Sequence, residues 1–450
     1  MNTREMTMPA RPWIVLLALA CLGEATRAAD FARTDSPTAG IQEATDVLPE
    51  SGGSVKLPPG EYVLRQPIVL RTGVTLAGAG PSTVLRKTRY AETRLAARAR
   101  QGSRSIRVEN TAGFAAGDAV AIRDQDAMGW NVVQAIIKAV EVNELLLDRP
   151  IPRTCDSARH GFVILCFPAV TCNRASKIVL KDFAIKEDHA RDLSVYGAID
   201  LSNPRVRFAF SLPFPLAAIQ LVDATDSRVE GVSVVGWLSD GISLQRGASD
   251  TVANCLVEKC AGKGIHAGGG LRDSLFSHNI SRNNDDDGFF FCAKTRKLMV
   301  SENTFINNKA HGIGGLGDSG DKFNTVAKNV ISGNGMHGIQ MWDGDNNTVT
   351  DNTVSNNSQL APGRFSGICL GKTSLSVVQR NRCFDDQPSK TQKHGIEELA
   401  DCRENRIGEN RCHGHAEKDV VLASEQPAGP PDAARRRGRA RTPSIEERVQ

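Results

Sequence analysis

Residues 287–315 read DGFFFCAKTRKLMVSENTFINNKAHGIGG. The stretch opens and closes on one device: a polar residue, a glycine and a short apolar strand. Between the two copies lies a second short strand, opened by Asn303. The device recurs as DGISL at Gly241, KGIHA at Gly264, DGFFF at Gly288, HGIGG at Gly312, HGIQM at Gly338, SGICL at Gly367 and HGIEE at Gly395. The intervals are 23, 24, 24, 26, 29 and 28 residues. Each glycine is followed 13 to 17 residues later by an asparagine: Asn254, Asn279, Asn303, Asn329, Asn352, Asn381 and Asn410. Strands this short at this period cannot build a two-layer sheet. They predict a solenoid in which each coil gives one strand to each of several parallel sheets. Ile242, Ile265, Phe289, Ile313, Ile339, Ile368 and Ile396 follow the glycines and are expected to stack inward. The asparagine column is expected at a turn, its amides bonding the next coil.

The bulk numbers agree. Of 450 residues, 40% are hydrophobic but only 5% aromatic, with 41 Gly, a composition thin in large core-fillers and rich in turns. The formal charge of +4 is carried mostly by the two ends, so the body has no broad basic surface of the kind that binds nucleic acid. Residues 1–28 read as a signal peptide: Arg4 and Arg11 precede the apolar run WIVLLALACL (13–22), and small residues follow up to a cleavage point after Ala28. The run is too short to span a bilayer. A lipoprotein reading at Cys21 is less favoured, because Ala18 occupies the usual lipobox Leu position. No other segment could cross a membrane, so an exported, periplasmic or extracellular protein is expected, and a monomer. Of eleven cysteines, Cys155, Cys166 and Cys172 lie close enough in sequence to pair; buried free thiols are the alternative.

The segment AGIQEATDVLPESGGSVKLPPGEYVLRQPIVLRTGVTLAGAGPSTVLRK (39–87) resembles the opening of right-handed parallel β-helix proteins of the pectin-lyase-like superfamily. The resemblance implies an all-β solenoid with an N-terminal capping helix. It does not specify an activity, since that superfamily hosts lyases, hydrolases, epimerases and binding proteins. The expected organisation is a cap with the first coils (29–87), a β-rich insertion (88–165), coils (166–423) and a Pro- and Arg-rich disordered tail (424–450). Residues 203–215 read as a projecting loop.

Equivalent positions on neighbouring coils lie about 4.8 Å apart, so columns act as local constellations. The position before each repeat glycine reads Asp240, Lys263, Asp287, His311, His337, Ser366 and His394. Asp-Gly alone is a common turn dipeptide. As a column, however, Asp–Lys–Asp–His–His is unusual turn chemistry. Asp287, Asp240, Asp286, His311, Lys263 and Lys294 are the candidate catalytic residues. His266, His337, Gln340 and Trp342 are candidate substrate-binding residues, and Glu397 lies on the same outward strand positions. Three readings stay open. Hydrolysis would use Asp240 and Asp287, two rungs apart, as acid and base; SDG (239–241), Asp286-Asp287 and His311-Gly312 are similar to polygalacturonase motifs. Elimination from a uronate polysaccharide would use Lys263, Lys294, His311 or His337 as base, with Asp285 and Asp286 as candidate Ca²⁺ ligands. AKTRKLMVSENTF (293–305) resembles the Lys-bearing coil of some alginate and chondroitin lyases, and NTVTDNTV is similar to mannuronan epimerases. The third reading is a non-catalytic periplasmic protein assisting metalloenzyme assembly, with His311 and His337 as candidate copper or zinc ligands. A polysaccharide partner is expected, and the Asp column tips the balance to hydrolysis.

Overall fold

The computed structural model describes residues 35–127, 129–191, 193 and 211–425. The leader, the tail from 426 and loop residues 203–210 lie outside the described residues. From 217 onward each coil contributes three short strands, and three parallel sheets of 11 strands run the length of the solenoid. Sheet I collects the strands that follow the repeat glycines, such as Ile242–Gln245 and Phe289–Cys292. Sheet II collects strands such as Thr251–Ala253, and sheet III strands such as Leu256–Glu258.

The apolar column forms one stack. Ile242 pairs with Ile265, then Phe289, Ile313, Ile339, Ile368 and Ile396 in unbroken order, all fully buried. Alternation along each strand turns the neighbouring positions outward. Among the described residues no helix is long and apolar enough to cross a membrane.

The asparagines form a ladder as expected. Asn303 Oδ1 accepts from the backbone N–H (2.9 Å) and Nδ2 (2.9 Å) of Asn279, and Asn329, Asn352, Asn381 and Asn410 continue the chain. One rung differs. Asn254 takes the left-handed conformation at the turn (φ 55°), and Cys255 holds the ladder place, donating its N–H to Asn279. A second ladder, not anticipated from the sequence, joins Asn284, Asn308, Asn334, Asn357 and Gln392 ahead of sheet I.

The helix Ile41–Asp46 covers the first coils, with Ile41 in the solenoid core. Residues 92–164 form a separate six-stranded antiparallel sheet with its own apolar core. Of the two readings of Cys155, Cys166 and Cys172, the structure shows buried free thiols rather than a pair, because each belongs to a different core cluster.

Candidate active site on the outer face of sheet I

The turn that enters sheet I places one polar side chain beneath the next coil. Asp240 Oδ1 accepts the N–H of Lys263 (2.8 Å), and Asp287 Oδ1 that of His311 (2.8 Å). His311 Nδ1 accepts the N–H of His337 (3.2 Å), and His337 Nδ1 that of Ser366 (2.9 Å). His394 Nδ1 does the same for Lys418 (3.1 Å). A carboxylate and an imidazole Nδ1 are both short-reach acceptors, which explains why Asp and His both recur in this column. Part of the constellation therefore serves the backbone. The two histidine rings stack at 5.4 Å, 8° from parallel. Burial lowers the pKa of His311 to about 4 and that of His337 to about 3, so both are neutral near pH 7.

The three consecutive aspartates diverge. Asp285 is half exposed and pairs with Lys309 (2.7 Å), whereas Asp286 pairs with Lys263 (2.6 Å). Asp287 turns inward and is 4% exposed. The two candidate Ca²⁺ ligands are thus drawn to different lysines. Burial works against the charge on Lys263, but Asp286, Asp240 and Asp287 outweigh it and raise its pKa. Lys263 is consequently a fixed cation rather than a base, and it sits 4.7 Å over the Phe290 ring. Opposite Asp287 the next strand carries Gly314 and Gly315, where the register of sheet I shifts. A Cβ on Gly314 would come 2.6 Å from Asp287 Oδ2, and Gly315 has φ +68°. The glycine pair makes room for the carboxylate and the Phe290 ring.

The tightest assembly is a pair that the sequence reading placed in separate roles. His266 Nδ1–H donates to Asp240 Oδ2 at 2.7 Å; the carboxylate can only accept, which fixes the direction. His266 is 4% exposed, and its Nε2 is buried without a hydrogen-bond partner. Its ring stands edge-on between Phe214 (5.1 Å) and Phe290 (5.2 Å). Phe214 belongs to the short helical turn Phe214–Leu216, which is fastened down at both ends. Ser239 Oγ donates to the Leu212 and Pro213 carbonyls, and Trp237 Nε1 to Leu216 O. Trp130 of the insertion meets Phe214 at 4.8 Å.

The remaining candidates stand apart. Lys294 is exposed in the turn leaving sheet I, at the far end of its strand from Asp287. Gln340 is half-buried on the outer face, while Trp342 lies flat over Gly371, where a Cβ would come 2.3 Å from the ring. Glu397 accepts from Ser366 Oγ (2.6 Å) and Lys393 Nζ (2.9 Å). Beside the cluster, the turns between sheets III and I border a groove of about 1020 Å³. Lys259, Lys309, Arg364 and Arg191 line it, with Asp285 as its acidic member.

A structure of a DFA-IIIase mutant from Arthrobacter chlorophenolicus A6 in complex with DFA-III is 12% identical, with a TM-score of 0.51 over 82% of this chain and 76% of that one. The same enzyme in complex with GF2 is 12% identical, with a TM-score of 0.50 over 89% and 84%. The chain is a right-handed parallel β-helix protein. The Azotobacter vinelandii mannuronan C-5 epimerase AlgE6 A-module is 14% identical, at TM-score 0.48 over 89% of this β-helix and 98% of that chain. The model of a family described as periplasmic copper-binding protein (NosD) matches residues 217–418. No curated protein matches the chain.

The residues of this β-helix do not fit a copper ion in the arrangement described. Parallel rings 5.4 Å apart hold the outward nitrogens of His311 and His337 further apart than two metal–nitrogen bonds of about 2 Å can span. Among the described residues no group of three or more His, Cys, Asp or Glu side chains is placed to hold a metal.

Proposed function

We propose that this is an exported protein that binds an acidic polysaccharide along the outer face of sheet I and acts on it through His266, whose buried Nε2 is reached when the Phe214 ring swings aside. The observation that carries the reading is the buried Asp240–His266 pair with its unpartnered Nε2. A carboxylate on Nδ1 fixes the imidazole so that Nε2 takes the proton. Lys263, held charged by its three aspartates, begins the same strand turn and supplies a cation for a uronate carboxylate. The cationic groove beside it suits an acidic chain.

Base and cation together favour elimination next to a carboxylate over hydrolysis. Both oxygens of Asp240 accept hydrogen bonds, from His266 and from the Lys263 N–H, which supports a positioning role for Asp240 over the acid or base expected from the column. Incubation with a panel of glycans tests the reading, with absorbance near 235 nm reporting unsaturated products beside a reducing-end assay. Both signals support elimination. Reducing ends alone would indicate hydrolysis, and silence in both would favour the binding or metalloenzyme-assembly role.

A further inference from the structure

Sheet III ends at the strand Arg411–His413, and two cysteines meet there on neighbouring rungs. Cys383 pairs in register with Cys412, continuing the core column from Val354. In the registers of the three sheets no other two described cysteines stand opposite each other. Cys383 is fully buried within the core, whereas Cys412 is half-buried on the last strand of sheet III. The two thiols face each other across one rung, and His415 lies within electrostatic reach of Cys412. The His415 side chain is buried, with Gln392 at its Nδ1 (3.2 Å) and no hydrogen-bond partner at Nε2.

We propose that Cys383 and Cys412 are a redox-active dithiol that closes into a disulfide across the last two coils. The rung spacing of about 4.8 Å lies inside the Cα separation of disulfides, about 4.4–6.8 Å. The roles follow from access and charge. The neighbouring Cys383 thiol, aided by His415, outweighs burial and lowers the Cys412 thiol to about 6. Burial instead raises thiols such as Cys155 and Cys402, each to about 11. Cys412 as thiolate attacks one sulfur of a small disulfide, forming a mixed disulfide and expelling one thiolate. Cys383 then gives its proton to the thiolate just expelled and attacks the Cys412 sulfur, expelling the second. Two protein thiols are oxidised, and one disulfide is reduced to two thiols.

The experiment exposes folded, reduced, full-length protein to oxidised glutathione, alkylates it after unfolding, and maps peptides by mass. The expected result is one crosslinked peptide pair joining Cys383 to Cys412 with loss of two hydrogens, the other described cysteines remaining alkylated. In Cys383→Ser, glutathione should stay trapped on Cys412; in Cys412→Ser, Cys383 should remain unreacted. Cys412 should also take iodoacetamide at least about 10-fold faster than the buried thiols. Absence of the crosslink in the wild-type protein would overturn the proposal whatever the variants do, as would glutathione found on Cys383 first.

Discussion

Asp287 shows how one side chain in a solenoid answers to two neighbours. From the sequence it is the central acid of a column; in the fold it caps the His311 N–H and leans into the space left by Gly314. Asparagine can keep that cap, so Asp287→Asn should fold normally and lose less than about tenfold in turnover. Asp240→Asn should also fold, yet turnover should fall about 10²-fold or more, the scale of a disabled general base. Steady-state rates with melting curves as control separate the two variants. The stacked histidines give a pH signature. Their pKa values are lowered from 6.5 to about 4 and about 3, so between these values and 6.5 the unfolded chain binds protons that the native state refuses. Stability should therefore fall as pH drops from about 6.5 toward 4, by at most about 1.4 kcal/mol per pH unit for each histidine. His337→Gln should flatten that slope in urea titrations at successive pH values.

Ladders hold the coils together, and their legibility varied with their chemistry. Asn303 accepts two hydrogen bonds and donates to Phe276 O and Ser301 O. Asn303→Ala leaves those groups unpaired in the core and should cost about 1–3 kcal/mol in denaturant unfolding. This ladder was visible because one residue type recurs at one offset, and Asn254 misled because a left-handed turn residue and a ladder residue are adjacent. The column entering sheet II was not visible, because Ser227, Asp250, Ser274, Leu298, Asn324 and Asn347 share a place without sharing a type. Asp250 is the costly member. Burial raises its carboxyl to about 7, and its Oδ2 has no hydrogen-bond partner. Here the native state holds a proton that the unfolded state releases, so stability is lost as pH rises from about 4 to 7. Asp250→Asn installs the residue that later rungs use at this place. It should stabilise the protein by about 1–3 kcal/mol at pH 8 and much less at pH 4.

Across the whole molecule, periodicity shows what repeats and is blind to what does not. The inward stack, the coil that gives one strand to each of several parallel sheets and the outward column could all be read from a glycine every two dozen residues. The cover over His266 could not, because Phe214 and Trp130 come from a loop and an insertion with no period. The pairing of Asp240 with His266 lay within reach, since one rung plus three strand positions joins them, but reading columns singly kept them apart. On the proposed reading, this arrangement makes the outer face of sheet I a local chemical site on a scaffold that otherwise serves its own backbone. The most direct test of that claim compares wild-type protein and His266→Ala on the glycan panel, reading absorbance near 235 nm after confirming equal melting curves. Wild-type protein should generate unsaturated ends from at least one acidic polysaccharide, and the variant should lose about 10²-fold or more of that rate. A folded His266→Ala protein that works at the wild-type rate, or a wild-type protein that transforms no acidic glycan, would contradict the claim.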